Sequence, residues 1–108
     1  MAGEKLQFVY FMQAVDPAKA ASRDNWTPRD AETFDLHWAN LERLRDAGVL
    51  ILAGRCQDAD GTGPAMCILE VGSEEEARRI FDSEPFIARG FAKGTLHPYR
   101  VALSRKEI

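Results

Sequence analysis

Three short runs constrain this chain more than anything else in it: FVYFM at 8–12, VLIL at 49–52 and MCIL at 66–69 are apolar at consecutive positions. Successive side chains of a strand point to opposite faces, so a sheet with one wet face reads as alternating apolar and polar residues. Uninterrupted runs of β-branched and aromatic residues instead describe strands covered on both faces. A chain of 108 residues supports one core, here taken as a single domain over 1–108, with little left over for a second covering layer. Helices can cover one face. A second copy of the same chain, packed sheet to sheet, covers the other, so the patterning predicts a homodimer.

The order of elements agrees. A strand is expected at about 5–14, and a polar stretch holding Asp16, Pro17, Ser22 and Asn25 follows it. The segment TPRDAETFDLHWANLERLRDAG reads as a helix, with Thr27 as cap, Pro28 in the first turn, Asp30 at the positive end and Gly48 closing it. VLILAGRC and PAMCILEV flank QDADGTG, whose Asp-Gly step signals a hairpin, expected to bring Cys56 and Cys67 together across the strands as reduced thiols. Ser73 and Glu76 have capping-box spacing before a second helix with Ala77, Ile80 and Phe81 on one face. GTLHPYRVAL reads as a last strand. Strand, helix, strand, strand, helix, strand is the order of an α+β, ferredoxin-like sandwich, a four-stranded antiparallel sheet with two main helices on one face. Pro98 fits that order, because proline belongs on an edge strand and the fourth strand lies there.

Charge and composition exclude several function classes. With 14 basic against 17 acidic residues and a net charge of -3, no basic footprint for nucleic acid or anionic membrane exists. The first residues lack the basic and apolar regions of a secretory signal, no run is long enough to span a membrane, and two cysteines are too few for a disulfide scaffold. A cytoplasmic protein is the expectation. No phosphate loop, nucleophile elbow or paired-histidine metal motif occurs, so neither metal nor organic cofactor is expected.

Chemistry then rests on few residues. Phe34, Trp38, Leu41 and Leu44 form an apolar stripe at helical spacing, expected to face the sheet, and His37 lies inside it. A core histidine bonded to a backbone carbonyl is the plain reading. The other is a proton-transfer group whose tautomer is fixed by a carboxylate partner. Most carboxylates belong to wet faces, but Glu84 stands between the second helix and the apolar stretch PFIARGF, where Pro85 can open a short turn that Glu84 caps. Glutamate is a poor cap, so that explanation fits imperfectly. His97 is read as a solvated or interface histidine, and Arg55, at the end of an apolar strand, can bind a carboxylate or phenolate, pair with Glu84 or simply face water.

In sequence, HWANLERLRDAGVLILAG, a Gly-rich hairpin, EVGSEEEARRIFDSEPFIARG and a final strand with HPYRV resemble the YciI-like (YCII-related) family, nearly end to end. The resemblance implies the ferredoxin-like fold paired as a dimeric α+β barrel. It also implies an acid-base pair, a histidine on the first helix and the acid of an Asp-Pro-Phe or Asp-Pro-Tyr motif, which fall on His37 and Glu84. Three positions depart from the family: Glu84 is one methylene longer than aspartate, Phe34 stands where some members carry arginine, and Arg55 replaces a common proline.

These readings lead to one expected activity. It is a small cofactor-independent enzyme with catalytic His37 and Glu84, and with Arg55, Trp38 and Phe86 contacting a small aromatic or cyclic substrate in lyase, isomerase or dehydrochlorinase-like chemistry. The alternative is a non-catalytic dimeric module that binds a small metabolite or a protein partner.

Overall fold

The computed structural model describes residues 5–105, so the outermost residues of the expected 1–108 domain lie outside it. Strand β1 (Leu6–Ala14) is followed by a short helix α1 (Pro17–Ala21), a 3-10 turn (Arg23–Asn25) and the long helix α2 (Pro28–Asp46). Strands β2 (Leu50–Arg55) and β3 (Ala65–Val71), helices α3 (Glu74–Ser83) and α4 (Pro85–Ala88), and strand β4 (Ala92–Tyr99) complete it. The sheet order is β2-β3-β1-β4 with antiparallel neighbours throughout, a ferredoxin-like α+β architecture that puts β4, with Pro98, on an edge.

Local chemistry explains where α2 begins and ends. Thr27 and Asp30 form a full capping box, each side chain accepting from the other's backbone N–H, and Pro28 occupies the first turn. Lys19 ties α1 to the same carboxylate at 2.8 Å, and that hydrogen bond holds the Asp30 carboxyl below its usual value. Past the C-cap, Gly48 takes φ +77°, which costs a residue with a Cβ, and the chain turns into β2.

Phe8, Tyr10 and Met12 of β1 point toward the helices and share one core with Leu41, Leu69, Val71, Ala77 and Phe81. The opposite face carries Val9, Phe11, Met66 and Ile68, in register as Val9 with Ile68 and Phe11 with Met66. The four helices among the described residues pack on the first face; on the second, Val9 and Ile68 are buried while Phe11 and Tyr99 are exposed. His97 belongs to this second face as well, paired with Val9, its ring against Phe11 and its Nε2 at 2.8 Å from Thr95 Oγ1. It is therefore across the sheet from His37.

Four expectations are corrected. The polar stretch after β1 folds as α1 and a 3-10 turn, with Asp16 and Ser22 as caps. The buried stripe of α2 is Asp30, Thr33, His37, Leu41 and Leu44, one position round the helix from Phe34 and Trp38, because His37 has an internal partner and Trp38 does not. Glu76 reaches back to the Gly72 N–H at 3.0 Å rather than closing a box on Ser73.

Cys56 and Cys67 do not face each other. The hairpin is symmetric about Asp60, so Cys67 opposes Ala53 while Cys56 donates its N–H to Pro64 at 3.0 Å. The turn is wider than a two-residue hairpin because the 56–64 loop packs on α1, where a Cβ on Gly61 would meet Ala20 O at 2.9 Å.

Both cysteines are free thiols, Cys56 exposed and Cys67 buried, and burial pushes the Cys67 thiol up to about 11. A disulfide-exchange reagent at pH 8 should therefore titrate one thiol per native chain and two in denaturant. Since the folded value exceeds the ordinary 9.0, stability that is complete below pH 9 is lost as the pH rises toward 11.

Candidate active site

The middle of α2 sets the first half of the site. Its buried stripe passes through His37, which stacks on Phe86 of α4 with ring centroids 4.1 Å apart and planes 14° from parallel. The second half comes from the break between α3 and α4. Proline disfavours helical backbone in the residue before it, and Glu84 sits at φ -56°, ψ 122°, ending α3 and turning its side chain inward.

Glu84 is fully buried and serves two purposes at once. Oε1 lies 2.5 Å from His37 Nδ1 and accepts from the Phe86 N–H at 3.2 Å, so the carboxylate caps α4 and holds the imidazole with the same atom. Oε2 accepts from the Tyr10 hydroxyl at 3.2 Å. The cap and the acid partner, rival readings of EPF, are therefore one arrangement.

Tyr10 was not singled out by sequence reasoning. A signal existed: a tyrosine inside a fully apolar strand must find a partner for its hydroxyl once buried. Its ring packs edge-on against Phe81 at 5.5 Å, and burial, with the Cys67 thiol and the Glu84 carboxylate beside it, pushes the phenol well above its usual value. Tyr10 is thus a neutral donor at any ordinary pH, fixing the second carboxylate oxygen.

His37 forms part of the wall of a cavity of about 430 Å³ between α1, α2, α4 and the sheet. Among the described residues every fully buried side-chain nitrogen or oxygen has a partner, yet Nε2 of His37 has none. That nitrogen must reach accessible space. With Nδ1–H directed at the carboxylate, the neutral ring presents an open Nε2 lone pair to the cavity.

The remaining predicted residues also line this cavity. Trp38 lies at the rim, 54% exposed and stacked on Phe34 with centroids 6.3 Å apart, while Phe86 forms the floor under the imidazole. Arg55 is in the wall but does not approach Glu84. Its Nη2 donates to Ala20 O at 3.1 Å and to Gly61 O, joining α1 to the hairpin loop. Arg89, missed in the sequence, links α4 to α2 by donating to Thr33 Oγ1 at 2.8 Å. Among the described residues no cluster of three or more His, Cys, Asp or Glu could hold a metal ion, and no helix is long and apolar enough to cross a membrane.

The model of the YCII-related domain matches residues 7–99. Among solved structures, the chain resembles 5-chloro-2-hydroxyhydroquinone dehydrochlorinase (TftG) from Burkholderia phenoliruptrix AC1100, in complex with 2,5-dihydroxybenzoquinone. The TM-score is 0.66 and the identity 18%, over 88% of this chain and 94% of that one. A mutant of SnoaB, a cofactor-independent oxygenase from Streptomyces nogalater, aligns with TM-score 0.48 and 13% identity over 97% of this chain and 100% of that one. No curated protein matches in sequence.

Proposed function

The chain belongs to the YCII-related domain family, and from that premise we propose that it is a small metal-independent acid-base enzyme of the lyase or isomerase type, with His37 and Glu84 as its working pair. The observation that carries this reading is a buried carboxylate 2.5 Å from one imidazole nitrogen while the other nitrogen opens on a cavity. Nε2 takes an acidic O–H or C–H proton from the substrate. The electron pair left behind shifts a double bond or expels a leaving group. The imidazolium's new charge is balanced by Glu84, and its proton then passes to the product or to solvent. Such assistance supplies about 10²–10⁴-fold, enough for substrates already activated toward proton loss.

Aromatic walls and a volume within the range of small-molecule pockets favour a planar ring. TftG, with the same fold and a quinone bound, supports a cyclic, oxygenated substrate and a dehydrochlorinase-like step. The test is a panel of activated phenols, enols and lactones incubated with the protein and with His37→Ala. Turnover by the first and not the second is the expected result. Equal turnover by both sinks the reading, and saturable binding without turnover of any member favours the binding module instead.

The working form in this proposal is a cytoplasmic homodimer closed over the sheet face that carries no helix. Phe11, Ile51 and Tyr99 are exposed on a single chain, and a partner sheet would cover apolar side chains such as these. Light scattering at micromolar concentration should give the dimer mass, and Phe11→Glu the monomer mass. A monodisperse wild-type monomer rejects this part of the reading.

A further inference from the structure

The chain as a whole is acidic, yet among the described residues no Asp or Glu lines the cavity, and three cations do: Lys19, Arg23 and Arg55. Two of the three are already engaged. Lys19 is paired with Asp30 at 2.8 Å, and the Arg55 Nη2 is bound to the Ala20 and Gly61 carbonyls. Arg23 differs. Its Cζ lies 4.3 Å from the ring centre of Phe34 and 4.9 Å from that of Trp26, and among the described residues its guanidinium has neither a hydrogen bond nor an ion pair. The two rings hold the guanidinium by cation–π contact, which uses none of its N–H donors.

Phe34 connects this group to the reacting one, because the same ring lies 6.1 Å from the His37 ring, and Arg23, Phe34 and His37 all line the one cavity. A small molecule lying over Phe34 in that cavity would have Arg23 on one side of its reach and His37 on the other. Resting on the reading of His37 given above, we propose that the substrate is a small planar anion, an aromatic or enolic ring bearing a carboxylate or phenolate, anchored by Arg23. The guanidinium's planar fork matches an anionic oxygen pair, which turns the substrate's other end, with its labile proton, toward Nε2. Arg23 is thus a specificity residue: it separates charged from neutral rings of the same shape.

The test needs no turnover. Both tryptophans, Trp26 and Trp38, line the cavity, so their fluorescence reports occupancy. Benzoate and its neutral isostere benzamide, with 4-nitrophenolate as the phenolate arm, are titrated into wild type, Arg23→Met and Arg23→Lys. Arg23 is on an exposed 3-10 turn, and circular dichroism verifies that both variants fold.

The expected result is that wild type binds benzoate about 10–100-fold more tightly than benzamide. Arg23→Met removes the preference without weakening benzamide, and Arg23→Lys keeps part of it. Preference for benzoate over 4-nitrophenolate, or the reverse, assigns the anionic group. Equal affinity for benzoate and benzamide in wild type, anion preference that survives in Arg23→Met, or no benzoate binding at millimolar concentration would each overturn the proposal. The His37 nitrogen resonances separate the two levels. If they move with benzamide but no anion preference exists, only the Arg23 assignment fails. Anion preference that depends on Arg23 while the His37 resonances stay unmoved upholds the anchor and rejects the reading of His37.

Discussion

His37→Ala is expected to lower turnover by about 10²–10⁴-fold and to leave the fold standing. The loss follows from geometry: Nε2 is the one polar atom of the Tyr10–Glu84–His37 chain that opens on the cavity, so no neighbour can take its proton-transfer role. Survival of the fold follows from the same geometry. Truncation extends the cavity up to Glu84, and water can then solvate the carboxylate that His37 held. The cost is therefore nearer the ~1.5–3 kcal/mol of one hydrogen bond to a charged group than the larger penalty of a stranded buried ion. Steady-state rates on a turned-over substrate, beside urea unfolding of the same variant, measure the two effects separately.

Substitutions at Glu84 should separate charge from shape. Glu84→Ala deletes a fully buried side chain with three partners, His37, Tyr10 and the Phe86 N–H, and is expected to cost about 3–5 kcal/mol, a large share of a small domain's stability. Glu84→Gln keeps the shape: its oxygen can accept from Nδ1–H and its amide can donate to the Tyr10 oxygen, so stability changes by only ~1 kcal/mol. Without the negative charge, however, the imidazolium formed in the reaction is unbalanced in a buried site, and the rate should fall by about 10²-fold or more. Glu84→Asp keeps the charge but is a methylene short of spanning His37 and Tyr10 together. It should lose ~1–2 kcal/mol while retaining more activity than Glu84→Gln. Chemical denaturation and rate measurements on the three variants check that ordering.

The fold was legible because several local signals agreed. Pro28 after Thr27, Gly48 past the helix, and Pro98 on the last strand each allow few positions, and together they select one topology. The His37–Glu84 pair was legible because a histidine in an apolar stripe and an acid before proline are both locally awkward, and Trp38, Phe86 and Arg55, expected beside it, also line the cavity. Tyr10 was invisible because apolar patterning counts a tyrosine as core and says nothing of its hydroxyl. Arg23 was invisible for a different reason. A polar stretch between elements carries no periodicity, so nothing in the sequence tells that its 3-10 turn folds back to lay a guanidinium on Phe34. The Cys56 misplacement has the same root, since an Asp-Gly step marks a turn but does not count the residues that neighbouring packing will hold in the loop.

The central claim is that Glu84 fixes His37 with a proton on Nδ1 and an open Nε2 in the cavity. Nitrogen NMR of histidine-labelled protein tests it directly, with His97 distinguished by the spectrum of His37→Gln. The account predicts that the neutral His37 ring is the Nδ1–H tautomer, that Glu84→Gln perturbs the Nδ1 signal, and that a cavity ligand shifts Nε2. A neutral His37 in the Nε2–H tautomer, indifferent to Glu84→Gln and to ligand, would contradict it.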